Sequence, residues 1–159
     1  MVQPLNITDS VRIEAAPDKV WDLVADVTRM GTWSPETTKA RWLAPTGARV
    51  PVVGARFRGA NKRGIVRWST TCEVIAADRG RTFSFVRPGL DGGCEWRFVM
   101  EDDGGATVLT EHMVQRKGPP AFMQVVGRLL FGSQREQQLR DGIRTTIERV
   151  KAAAESAPA

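Results

Sequence analysis

Hydrophobic residues along the chain follow two different periods. From residue 37 to residue 116 apolar and polar positions tend to alternate, as half-buried strands require. After Gly118-Pro119-Pro120 they recur every three to four residues, as in an amphipathic helix. The cleanest alternation is Cys94–Met100, with Cys94, Trp96, Phe98 and Met100 on one side and Glu95, Arg97 and Val99 on the other. Ile65–Ala77 is a long strand with Val66, Trp68, Thr70, Cys72 and Val74 opposite Arg67, Ser69, Thr71 and Glu73. Lys39–Leu43, Ala55–Asn61, Thr82–Arg87 and Ala106–Gln115 complete the run, and residues 5–15 form a first strand ahead of it. Turns are expected at 61–64, 77–80, 88–93 and 101–105, and a loop at 44–54, each marked by glycine.

The helical signals are fewer. Pro17 suits a first helical position, where its missing N–H costs nothing, and Val20, Trp21 and Val24 form a short apolar stripe. The segment M-G-T-W-S-P (30–35) ends that region. At the C-terminal end Phe122, Val126 and Leu130 are spaced by four, and so are Leu139, Ile143 and Ile147. Together these predict one helix of about 30 residues, bent near Gly132-Ser133, with a frayed tail after residue 152. The order of elements predicts an α+β fold, a curved antiparallel sheet of about seven strands wrapped on a long helix. Two short helices follow strand one.

Composition narrows this picture without supplying chemistry. The 159 residues, 42% apolar and 26% charged, fit a single domain (1–152, then a tail 153–159) and exclude disorder. No apolar run nears the ~20 residues of a membrane span, and the N-terminus lacks a basic start and apolar core. The expectation is a cytoplasmic protein with no membrane partner, as a monomer or homodimer. Cys72 and Cys94 read as reduced core thiols, and one histidine, His112, leaves no metal site. The net charge of +5 is uneven: from Arg29 to Arg67 there are nine basic residues and one acid, Glu36. No nucleic-acid motif or aromatic ladder accompanies that stretch, so it is read as a solvated face and not as a nucleic-acid surface.

Several strings have a familiar order. "P-D-K-V-W-D-L-V-A-D" after strand one, "W-S-P-E", "G-A-R-F-R-G-A-N" (54–61), "A-D-R-G-R-T-F-S-F" (77–85) and "G-G-A-T-V-L-T-E" (104–111) resemble the START-like or SRPBCC superfamily. Its fold is the Bet v 1-like helix-grip, and the likeness is to actinobacterial polyketide cyclase/dehydrase-type members, over about residues 5–152. The resemblance implies a deep apolar cavity between sheet and helix that binds a small hydrophobic molecule, with Trp33 near its mouth.

Residues facing such a cavity follow from where the strand charges go. Arg56 and Arg58 point Phe57, Gly59 and Asn61 inward, and Arg67 and Glu73 do the same for Trp68, Thr70 and Cys72. Phe83, Phe85, Trp96 and Phe98 follow the same rule. The last strand is ambiguous: Thr107, Leu109, Glu111 and Met113 share one face, Val108, Thr110, His112 and Val114 the other. The larger apolar residues favour the first face, which buries Glu111. From the long helix, Phe122, Met123, Val126 and Leu130 are expected to close the space.

Three functions remain in view. The first is a binder of a hydrophobic ligand, without cofactor or metal, using Trp33, Phe57, Asn61, Trp68, Thr70 and Phe85, with Trp96, Glu111, Met113, Phe122, Met123 and Val126. The second is a cyclase or dehydratase with Glu111 as base and Asn61 or Trp68 as donor, or His112 as the alternative base. The third is an adaptor or chaperone using the basic 29–67 surface. Glu111 also has a purely structural reading, a bond to Asn61, Thr70 or Trp68.

Overall fold

In the computed structural model, which describes residues 4–43 and 51–156, the alternating segments pair into one antiparallel sheet. Its strands are β1 (Asn6–Ile13), β2 (Thr37–Trp42), β3 (Arg56–Arg63), β4 (Val66–Asp78), β5 (Thr82–Arg87), β6 (Cys94–Asp103) and β7 (Ala106–Gln115). Strands β2 to β7 run as a meander, and β1 joins the far edge beside β7, giving the order β1-β7-β6-β5-β4-β3-β2. Between β1 and β2 lie α1 (Pro17–Val24), a 3-10 turn (Val27–Arg29) and α2 (Met30–Trp33). After β7 come α3 (Ala121–Phe131) and α4 (Arg135–Ser156).

The core sits between the sheet, α1 and α4. Val20, Trp21 and Val24 of α1 meet Phe57, Val74, Phe83, Phe85 and Leu109 from the strands. From α4, Ile147, Val150 and Ala154 join them, a stripe at helical spacing. Trp21 also donates its indole N–H to the carbonyl of Thr82 at 3.1 Å, tying α1 to β5. A second apolar group, Ile7, Cys94, Met113, Leu139 and Ile143, fills the end where α4 begins to cross β1 and β7.

Some boundaries differ from the sequence expectation. The β3–β4 strands run on to Arg63 and Val66, so the turn is Gly64-Ile65, with Gly64 at φ +59°. A glycine at the first of two turn positions matches the right-handed twist of the strands. Strand β6 continues to Asp103, and the turn contracts to Gly104-Gly105, both at positive φ. The C-terminal helix is two helices, not one bent helix. Gly132 adopts φ +76° with an extended ψ, a conformation costly for other residues, and the chain changes direction there. Helix α4 continues to Ser156 and buries Ala154, so the chain is ordered beyond residue 152. Of the expected 44–54 loop, residues 44–50, with Arg49, lie outside the described residues, as do 157–159.

Candidate functional site

A cavity of about 150 Å³ lies between the sheet, α2 and the first half of α4. Its aromatic wall is Trp33, Phe57, Trp68, Phe85, Trp96 and Phe98. Strand alternation puts five of these on one face of the sheet, and α2 carries Trp33 across from them. The rings interlock, with Phe57 edge-on to Phe85 at 5.0 Å and to Trp42 at 5.6 Å. Opposite, α4 presents Arg135, Gln138, Leu139, Gly142, Ile143 and Thr146. A glycine at 142 and a helix turn of small and polar residues leave space where a continuous apolar stripe would fill it.

The polar groups fall into two kinds. Some are fully partnered. Thr37 donates to Asn61 Oδ1 at 2.9 Å, and Asn61 Nδ2 donates to Thr70 Oγ1 at 3.4 Å. Glu36 accepts from Arg63 Nη1 at 3.3 Å and binds the Arg135 guanidinium through both its oxygens. Arg135 lies over the Phe131 ring at 4.4 Å, and that ring meets Trp68 edge-on at 5.2 Å. These contacts clasp the solvent side of the cavity. At the other end Arg87 holds Asp91 at 2.6 Å. Burial alone pushes the Asp91 carboxyl up, but the Arg87 bond and charge outweigh it and hold it below its usual range.

The other kind has no partner. Among the described residues three buried side-chain polar atoms lack any hydrogen bond: Trp33 Nε1, Glu111 Oε2 and Gln138 Oε1. All three residues line this one cavity. Gln138 is fixed from its other end, donating Nε2 to the carbonyl of Phe131 at 3.0 Å. Trp33 is only 5% exposed, with Arg29 stacked 5.0 Å from its ring. Glu111 is 4% exposed, and burial, reinforced by the charge of Asp9, pushes its carboxyl well above the usual range. Unsatisfied buried polar atoms are rare, and all three of these belong to residues that line one cavity.

The structure thus brings together Trp33, Phe57, Asn61, Trp68, Thr70, Phe85, Trp96 and Glu111. The inward face of β7 carries Glu111, while His112 lies on the other face with Nδ1 2.9 Å from Thr8 Oγ1. Burial and Arg97 lower the His112 pKa, and it does not line the cavity. Among the described residues Glu111 forms no side-chain bond to Asn61, Thr70 or Trp68; Asn61 Nδ2 donates to Thr70 instead, and Glu111 Oε2 has no partner. Met113 packs in the second apolar group beside the cavity. Phe122, Met123, Val126 and Leu130 stand away from the cavity, since the break at Gly132 carries α3 off the sheet. Sequence reasoning missed Glu36, Arg87, Arg135 and Gln138. The signal for Gln138 was its place beside Leu139 on the inward stripe, where a polar residue interrupts an apolar face.

A sheet that grips a C-terminal helix around an internal cavity is the helix-grip architecture of START-like proteins. A family profile for "polyketide cyclase / dehydrase and lipid transport" matches residues 4–155, and the chain belongs to that family. Among solved structures, a polyketide-cyclase-like protein from Corynebacterium glutamicum, Cgl2372, is 33% identical over 98% of this chain and 92% of its own, with a TM-score of 0.59. The ZhuI aromatase/cyclase of Streptomyces sp. R1128 is 15% identical, covering 96% of this chain and 94% of its own, with a TM-score of 0.69. The di-domain aromatase/cyclase StfQ of the steffimycin pathway is 16% identical, covering 96% and 51%, with a TM-score of 0.73. These last two share the fold. No curated protein matches the chain.

Proposed function

We propose that the chain binds a small, mostly apolar molecule in this cavity. The observation that carries the reading is the convergence of Trp33 Nε1, Glu111 Oε2 and Gln138 Oε1, each buried and unpartnered. A ligand with an acceptor for the indole N–H and a donor for the Gln138 carbonyl satisfies them. Such sites are largely apolar walls with a few placed polar groups. The family match and the aromatic wall support the same reading. The volume suits a ligand of about one ring, since a cavity of about this size holds benzene. A larger ligand requires the Arg135–Glu36–Arg63 clasp to open.

The test is native mass spectrometry of fresh protein, followed by tryptophan-fluorescence titration with monocyclic phenols and ketones. Binding that weakens about tenfold in Trp33→Phe and Gln138→Leu supports the site, as loss of one hydrogen bond to a buried group predicts. No retained mass, and no titration response that either variant alters, overturns it.

A cyclase or dehydratase reading is favoured by one observation, the raised pKa of the cavity carboxyl Glu111. In dehydration the acid gives its proton to a departing hydroxyl, which leaves as water. The resulting carboxylate then takes the proton of the adjacent carbon as the double bond forms. Asn61 is already committed to Thr37 and Thr70, so Trp33 is the better placed donor to a developing oxyanion. On this reading Glu111→Gln binds ligand but turns over no hydroxy-ketone, and equal turnover refutes it.

A further inference from the structure

Helix α3 is an apolar helix without a buried side chain. Met123, Gly127 and Phe131 are half-buried, and Phe131 meets Trp68. The wider face, Phe122, Val125, Val126, Leu129 and Leu130, is open, with Phe122 59%, Val125 60% and Leu129 81% exposed. The tip of the β3–β4 hairpin adds Ile65, 98% exposed. The two elements adjoin, since Leu130 and Phe131 share a groove with Pro35, Lys62, Arg63 and Gly64. A soluble surface has no reason to hold so many apolar side chains on adjoining elements.

The charge around them is mostly positive. No acid occurs between Glu36 and Glu73, nor between Glu111 and Glu136. Arg63 is held by Glu36, but Lys62, Arg67 and Arg128 have no ion pair among the described residues. A second copy of the chain would set this cationic face against itself. An anionic sheet of lipid headgroups matches both the charge and the apolar rows, as it does for interfacial helices.

We infer that this face docks on an anionic lipid bilayer, with α3 in the headgroup region and the Ile65 tip beside it. Trp68, which lines the cavity, touches Phe131 at the end of α3. The docked protein therefore holds the clasped side of its cavity next to lipid. Docking itself does not rest on the cavity being a ligand site. No helix among the described residues is long and apolar enough to cross a membrane. A surface-lying helix meets a different requirement.

The experiment is co-sedimentation of the full chain with phosphatidylcholine vesicles, with and without phosphatidylglycerol, at low and high salt. We expect binding to the anionic vesicles only, weakened by salt as screening requires. Lys62→Glu and Arg67→Glu should each lower partitioning about fivefold or more, from the contribution of one basic residue at an anionic surface. Leu129→Asp and Ile65→Asp should each lower it about tenfold, from loss of one buried apolar side chain. Circular dichroism melts should stay unchanged, because these side chains are exposed. Absence of binding to the anionic vesicles overturns the inference. So does equal binding to neutral vesicles, or binding that survives both aspartate substitutions. A concentration-dependent dimer abolished by Leu129→Asp, without vesicle binding, assigns the face to a second copy instead. Salt-sensitive binding to polyglutamate in place of vesicles assigns it to an acidic protein.

Discussion

Glu111→Gln isolates the cost of keeping a carboxyl in the cavity. The side chain is 4% exposed, its Oε2 has no partner, and the nearby Asp9 charge opposes ionisation. In the unfolded chain the same group titrates near its ordinary value of about 4.3. Between that pH and the raised native value, the folded protein holds one proton that the unfolded chain has released. Stability contributed by this group is full below the unfolded pKa and is lost as pH rises toward the native pKa, by about 1.4 kcal/mol per pH unit. Glutamine has nothing to titrate. The stability of Glu111→Gln relative to the parent should therefore climb by that slope from pH ~5 and level off at the native pKa. Two pH units amount to about 2.7 kcal/mol, a shift on the order of 1 M in the urea midpoint. Any fixed offset from the new amide drops out, and so do Asp91 and Glu95, whose lowered pKa values act equally in both proteins. The assay is urea unfolding of both proteins across that range. A difference that stays constant with pH would falsify the picture of an unpartnered buried carboxyl.

Two further outcomes follow from the clasp and from backbone approach. In a double-mutant cycle, Glu36→Gln and Arg135→Gln should couple by at least about 1 kcal/mol in urea unfolding, because both side chains are more than two-thirds buried. Coupling below about 0.3 kcal/mol would reduce the clasp to an ordinary surface pair. Gly31→Ala should lower stability by about 1–3 kcal/mol, since its Cβ would lie 2.4 Å from the carbonyl oxygen of Thr38 in β2. Gly127→Ala, with nothing within 4 Å of the new methyl, should raise it by about 0.5–1 kcal/mol. Thermal melts that rank the two alanines the other way contradict the packing described here.

The sheet was legible because charges mark strand faces. Arg56 and Arg58 can only face water, so Phe57, Gly59 and Asn61 had to face in, and all three line the cavity. The cavity's carboxyl was harder to place, because β7 lies between β1 and β6 and its outer face is also half-covered. In the sequence only apolar bulk distinguishes its two faces. The C-terminal region misled for a physical reason. Phe122, Val126 and Leu130 have the same spacing as Leu139, Ile143 and Ile147, and periodicity reports a helix face without saying what covers it. Gly132, read as a bend, is a full break, so only the second stripe is buried. The clasp lay beyond local pattern altogether, since Glu36 and Arg135 are 99 residues apart in sequence.

The pairing of β1 with β7 sets an order on synthesis. Asn6 lies opposite Val114, and Ile13 opposite Thr107. During translation the first strand has no neighbour until more than a hundred residues have left the ribosome, while β2 to β7 can pair one hairpin at a time. Contacts between residues so far apart in sequence are the kind that slow folding. The helix that roofs the cavity follows β7 in the chain, so the strands that carry the aromatic wall precede their roof. A sheet paired before α4 docks would present an open hydrophobic floor, the kind of surface at which misassociation and chaperone capture compete with completion.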